Sequence, residues 1–328
     1  MTYYIENLIE LNVDTEIEIG LNLRIRAATS EEQNVIKSFI SAFGLSRILE
    51  VAYDGLYKHV IEKRLTEGKV HPKKGLGQDF RYFVLEEMEK TGIYNPNYAK
   101  ALFLSDKEFF IPFGFDLKDY PRGGVSLKYS FDSELSAYTY FNDKNTNIIE
   151  RGSEFSIEFT DEDKFQVLDN LTLLNEFEKK KEDYPYIKKA LDDFFKMIEI
   201  SNRSVFKIIQ LFACIELLLL DGKLAKPKSS ALQLESKLDL INNRIGNPVK
   251  VSEFIHVPDS FTVGKLIGIT HEYKSSIAHG DFLDFEKKIQ ISNKISELDI
   301  LILARKVLKS IIVFALKEPQ LITDLKKC

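Results

Sequence analysis

His271-Glu272-Tyr273-Lys274-Ser275-Ser276-Ile277-Ala278-His279-Gly280-Asp281 places two of the chain's five histidines within nine residues, near the end of a helix-rich C-terminal half. At 3.6 residues per turn, His271, Ser275 and His279 fall at i, i+4 and i+8, with Glu272 and Ser276 alongside. The result is a polar stripe on an otherwise apolar segment. Gly280 stands where a helix is expected to stop. The segment therefore reads as the last turns of a helix over about 262–279, and the rest of this half can be placed around it.

Upstream, 3.6-residue periodicity predicts helices over about 229–244 and 185–221, the second with a break near Asn202. Residues 245–261, with Gly246, Pro248 and Pro258, read as a loop, and 293–317 as a closing helix. Thr160-Asp161-Glu162-Asp163 is an acidic N-cap opening a helix over about 162–181, and no strand pattern follows it. The expected division is an α+β domain over 1–160 and an all-α domain over 161–328.

The first 160 residues mix two periods. Ile17, Ile19, Leu21, Leu23 and Ile25 alternate with mostly polar neighbours, as in one long strand or two short ones turning near Gly20. Thr29 and Glu32 have capping-box spacing, and Ile36, Phe39, Ile40 and Phe43 make an apolar helical face ending at Gly44. Residues 45–68 continue in helical register, and 79–90 read as helical again. Three runs, Val125 to Phe131, Leu135 to Thr139 and Phe155 to Phe159, predict an antiparallel meander. His71-Pro72-Lys73-Lys74-Gly75-Leu76-Gly77 fails as a phosphate cradle, because no Lys-Ser/Thr follows the glycines, and reads as a solvated loop.

Composition narrows the function classes. The 328 residues, 44% of them hydrophobic, suffice for a sizeable core and two domains. The formal charge of -5 is uneven: residues 201–328 carry 19 Lys and Arg against 14 Asp and Glu, and residues 1–200 carry 26 against 36. Only the C-terminal half invites a polyanion, and mildly. Cys214 and Cys328 offer neither a disulfide framework nor a metal spacing, so a reduced, cytoplasmic setting is expected, with no metal and no cofactor. No secretory signal opens the chain, and the longest apolar run, Leu211 to Leu220, is about half of a membrane span and contains Glu216, so no membrane role is expected.

Two features bear on chemistry. Arg203 to Leu220 is apolar on nearly every side and is expected to be buried. Glu216 then needs a Lys, Arg or His from another helix, either as a structural buried pair or as a carboxylate lining a cleft. His279 is either a capping histidine at a helix C-terminus or a general acid/base working near neutrality. A zinc-protease helix is excluded, since the two histidines are not an i, i+4 pair.

Lys274-Ser275-Ser276-Ile277-Ala278-His279-Gly280 resembles the signature of the HEPN superfamily, an Arg followed after four to six residues by His, often with a Gly next. Phe206 to Leu220, with Ala213-Cys214-Ile215-Glu216-Leu217-Leu218, resembles the first long helix of the Apea-like HEPN branch, where a Leu-Glu pair sits in an apolar run. Ser229 to Leu238 resembles its second helix, and Leu301 to Leu316, with Ala304-Arg305-Lys306-Val307-Leu308, its closing one. The resemblance covers about 185–318.

It implies a four- or five-helix bundle that forms a homodimer, with two copies of the motif facing across a cleft. In active members this is a metal-independent endoribonuclease site, leaving a 2′,3′-cyclic phosphate and a 5′-hydroxyl. His279 would be the acid or base, Lys274 the cation on the phosphate in the place of the family's Arg, and Ser275 the polar neighbour. Arg203, Lys207 and Arg305 are candidates for a guanidinium or ammonium supplied from elsewhere, with Glu216 and His271 in support. An effector in phage defence or a toxin-antitoxin-like system is one role the resemblance implies. A module that binds RNA, a nucleotide or a protein partner without cutting is another, and a dimerisation bundle in which His279 only caps a helix is the third. HEPN domains commonly follow a variable sensor, so residues 1–160 are expected to meet a protein partner or trigger.

Overall fold

The computed structural model describes residues 2–6, 16–42, 83–89, 95–106, 110–117, 126–129, 159–197, 200, 204–221, 227–254, 261–278 and 297–328. The chain divides into two compact units, Met1–Thr172 and Leu173–Cys328.

The first unit is built on an antiparallel sheet of β1 (Thr2–Glu6), β2 (Ile17–Gly20), β3 (Leu23–Ala27), β4 (Phe83–Glu87), β5 (Phe110–Asp116) and β6 (Ser126–Tyr129), ordered β2-β3-β4-β1-β5-β6. Helices α1 (Ser30–Ala42) and α2 (Pro96–Leu104) accompany it. The alternation over 17–25 becomes the β2–β3 hairpin, with Ile17 opposite Ile25. Its turn needs positive φ at Gly20 (+111°), Leu21 (51°) and Asn22 (62°). At Gly20 any side chain would also press on Leu168. The predicted capping box is present: the Thr29 amide donates to Glu32 Oε2 at 2.8 Å, and the Glu32 amide to Thr29 Oγ1 at 3.3 Å.

Residues 83–87 correct the helical reading of 79–90. Phe83-Val84-Leu85-Glu86-Glu87 is a strand between β3 and β1, and all five side chains are buried. A strand covered on both faces shows no two-residue alternation, so its apolar run is indistinguishable by pattern from a helix. Thr2–Glu6 is likewise internal, flanked by β4 and β5. Its pairing with β5 is irregular between Tyr4 and Glu6, opposite the stretch holding Pro112, which has no N–H to give to a ladder. Of the predicted meander, residues 126–129 are the strand β6, paired antiparallel with β5. The other two runs, like the predicted features over 45–77, lie outside the described residues apart from Phe159, which is buried and not in a strand.

Helix α3 (Asp161–Glu178) opens as the acidic cap predicts, with the Thr160 amide and hydroxyl both donating to Asp163 Oδ2 at 2.7 Å. Its first turns belong to the sheet unit: Asn170 Nδ2 donates to the Ala101 carbonyl at 3.3 Å, and Gln166 Oε1 accepts from the Asp106 amide at 2.8 Å. The division between the units accordingly falls within α3 rather than at its start.

Among its described residues the second unit has only helical elements: the end of α3, α4 (Pro185–Lys196), α5 (Val205–Leu219), α6 (Pro227–Asn242), α7 (Val263–Ala278), α8 (Glu297–Lys317) and α9 (Pro319–Lys327), with short 3-10 turns at Lys181–Asp183 and Val251–Glu253. Five, α4 to α8, correspond to predicted helices, and the break near 202 separates α4 from α5. Helix α9 lies beyond the predicted closing helix, which ended at 317, and was not expected; Pro319 starts it at the first helical position. Helices α6 and α7 pack so closely that a Cβ on Gly264 would lie 2.2 Å from the Glu235 carbonyl oxygen, and the Gly264 amide donates to Asp239 Oδ1 at 2.8 Å. The α7 N-terminus thus receives a carboxylate, the sign its dipole favours.

The core of this unit is α5, with Ile208, Leu211, Phe212, Ile215, Leu218 and Leu219 buried. It is not covered on every side as its composition suggests. Phe206 is 74% exposed, Ala213 is exposed, and Gln210 and Leu217 are half-buried, so one face of α5 stays open. Buried Cys214 sits on the covered side, its thiol pushed up to about 12 by burial, which disfavours the reactive thiolate.

Candidate functional site

Glu216 lies in the last turn of α5, at the edge of the open face, and His271 lies midway along α7. His271 Nε2 and Glu216 Oε1 are 2.6 Å apart, a short hydrogen bond. A carboxylate has only acceptor oxygens, so Nε2 is the donor and the ring's second nitrogen, Nδ1, is left to accept or take up a proton. Neither side chain is sealed from solvent: 18% of the His271 side chain and 25% of the Glu216 side chain remain exposed. A histidine from another helix is thus a partner of Glu216, and the pair is reachable.

The same helix carries the motif. Lys274 and Ser275 follow His271 by three and four residues on the α7 backbone, positions that adjoin it on a helical surface. Their side chains lie outside the described residues, as do Arg203 and His279, the latter one residue beyond the end of α7. Of the remaining sequence-derived candidates, Lys207 is buried and its Nζ donates to the Ile200 carbonyl at 2.7 Å, an ammonium committed to backbone rather than displayed. Arg305 is half-buried on α8. The structure thus brings Glu216 and His271 together, puts Lys274 and Ser275 on the same helix as His271, and turns Lys207 inward.

Two further cations shape the end of α5. Lys237 Nζ, from α6, donates to the Leu219 carbonyl at 2.9 Å. Lys326 Nζ, from α9, donates to the Leu217 carbonyl at 2.6 Å and also to that of Leu220. Burial pushes both ammoniums below the usual lysine range, against the pull of Asp221. They satisfy carbonyls that a helix terminus leaves without intrahelical donors and fix the turn that presents Glu216. Sequence reasoning did not single them out. The signal available was the bare end of α5 at Leu220-Asp221, which has no glycine cap of its own at those positions.

Among the described residues no three His, Cys, Asp or Glu side chains group as metal ligands, and no helix is long and apolar enough to cross a membrane. No family model, curated protein or solved structure matches the chain.

Proposed function

We propose that the C-terminal unit is a HEPN-like, metal-independent endoribonuclease acting by internal transesterification of RNA. The observation that carries this reading is the 2.6 Å contact between Glu216 and His271. It sets the Glu-bearing apolar helix against the helix that carries Lys274 and Ser275, in keeping with the helical bundle that the HEPN resemblance implies. In this reading the 2′-hydroxyl attacks the adjacent phosphorus, Lys274 offsets the charge developing on the phosphate, and His279 transfers a proton as acid or base. A lysine supplies a point charge where an arginine would supply a planar fork, so Lys274→Arg is expected to raise the rate. A homodimer through the helical unit, a trigger acting on the N-terminal unit, and a role in phage defence or a toxin-antitoxin-like system belong to the same proposal.

A second reading, a HEPN-like module that binds RNA or a partner without cutting, draws on the inward-facing cations. Lys207, Lys237 and Lys326 all end on backbone carbonyls rather than on a displayed surface. One experiment separates the two. Purified protein is incubated in EDTA with labelled tRNA and mixed single-stranded RNA, beside His279→Ala. Fragments ending in cyclic phosphate that vanish in the variant support the nuclease; a folded protein that retains RNA and leaves it whole supports the binding module.

A further inference from the structure

Transesterification moves two protons: one leaves the attacking 2′-hydroxyl, and one is delivered to the departing 5′-oxygen. His279 accounts for one of them in the reading above, on which the present inference rests. We propose that His271, held by Glu216, is the other proton-transfer group, so that a single chain carries both.

The argument is geometric. The imidazole is tied through Nε2 to a carboxylate on a different helix, which fixes its ring orientation and its tautomer. This is the arrangement by which an acceptor carboxylate steadies an imidazole that must become positively charged during a reaction. The partner carboxylate is itself on a braced turn, since Lys237 and Lys326 hold the carbonyls of Leu219 and Leu217 around it. The pair is partly exposed rather than buried, as a group meeting substrate must be. Lys274 and Ser275 occupy the next turn of the same helix backbone, three and four residues on, the spacing at which helical positions adjoin.

The step balances as follows. His271 Nδ1 takes the 2′-hydroxyl proton as the 2′-oxygen bonds to phosphorus. The bond from phosphorus to the 5′-oxygen breaks, and that oxygen receives its proton from His279. Products are a 2′,3′-cyclic phosphate and a 5′-hydroxyl, and the two imidazoles exchange protonation states, to be reset by water. Glu216 remains a carboxylate throughout and balances the His271 cation; it is a positioning residue.

The test uses the full chain and two RNA dinucleotides, one ordinary and one with sulfur in place of the bridging 5′-oxygen, whose leaving thiolate needs no proton. On ordinary RNA, His271→Ala is expected to lose 100-fold or more, on the order of what a positioned base contributes. Added imidazole is expected to restore part of it. On the sulfur substrate His279→Ala regains activity and His271→Ala does not. Glu216→Gln lowers the rate at least tenfold and removes the Nε2–H tautomer signal of His271 in nitrogen-15 NMR, whereas Glu216→Asp keeps the signal. A His271→Ala variant that cuts within threefold of wild type overturns the inference while leaving the nuclease reading in place. So does a Glu216→Gln variant with an unchanged His271 tautomer, or a sulfur substrate that rescues His271→Ala instead. Wild type that cuts neither RNA takes down the nuclease reading and this inference with it.

Discussion

Glu86 in the sheet unit and Glu216 in the helical unit are both carboxylates drawn out of bulk water, and they are held in opposite ways. Glu86, on β4, receives Arg24 and Arg26 from the neighbouring strand at 2.7 and 2.8 Å, and Arg26 also grips Glu32 of the α1 capping box through two bonds at 2.7 and 2.8 Å. Every partner carries a permanent charge. The hydrogen bond from Arg26 and then that from Arg24 outweigh the cost of burial and pull the Glu86 carboxyl down to about 2. Glu216 instead meets an imidazole, which can carry one proton or two, and a quarter of its side chain stays open. A carboxylate among fixed charges contributes stability and nothing else; a carboxylate beside an accessible imidazole can take part in chemistry. The contrast predicts that mutations in the two places will separate stability from activity.

The largest expected effect is Arg26→Ala. It leaves Glu86 and Glu32 facing each other across a vacated site in a buried setting, and removing one partner of a buried ion network costs about 3–5 kcal/mol. Hydrogen exchange of the β3 and β4 amides measures it within the sheet unit. A loss under about 1 kcal/mol would show the network to be as loosely valued as a surface pair and erase the contrast.

Next in size is the response to acid. The folded-state pKa of Glu86 lies below its unfolded value, so its contribution is fully present above the unfolded value and is lost as pH falls from about 4.5 toward 2. Glu32 is also lowered: burial pushes it up, but the bonds from Arg26 and Thr29 prevail. The sheet amides are therefore expected to lose about 2 kcal/mol of protection across that window after allowance for solvent screening. Arg26→Ala should flatten the same titration, and a titration unchanged by that substitution would assign the acid sensitivity elsewhere.

The two carboxylates also differ in how far they could be read from the chain. The Thr29/Glu32 box and the Thr160/Asp163 cap each join residues three positions apart, and both were legible because local spacing is the whole of their geometry. Helices α4 to α8 were legible from period alone. Residues 83–87 were not, since burial on both faces erases alternation, and nothing within 83–87 says that Arg24 and Arg26 lie on the next strand. At Glu216 the sequence demanded a basic partner on chemical grounds, and His271 supplies it. The identity of that partner rests on a contact between residues 55 apart, which only the packing of α5 against α7 decides. The open face of α5 was misread for a related reason: Phe206 and Ala213 are apolar by type, and composition cannot tell a covered apolar face from an uncovered one.

The smallest expected effect on stability, and the sharpest use of the comparison, is Glu216→Gln. Glutamine keeps the shape and offers both an amide N–H and an acceptor oxygen, so a neutral hydrogen bond to His271 Nε2 survives in either tautomer while the Nε2–H form is no longer enforced. The change should cost no more than about 1 kcal/mol, the range of a single hydrogen bond between partly exposed groups. The braced turn around Leu217 and Leu219 does not depend on the carboxylate, because its donors come from Lys326 and Lys237. Thermal unfolding of the variant should therefore stay close to that of the parent while RNA cleavage falls. The same pair of measurements on Glu86→Gln should give the reverse, a clear loss of stability with cleavage by the folded fraction retained. If Glu216→Gln instead unfolds the helical unit as readily as Arg26→Ala unfolds the sheet, Glu216 belongs with Glu86 as a structural charge, and the proton-transfer role of its histidine loses its footing.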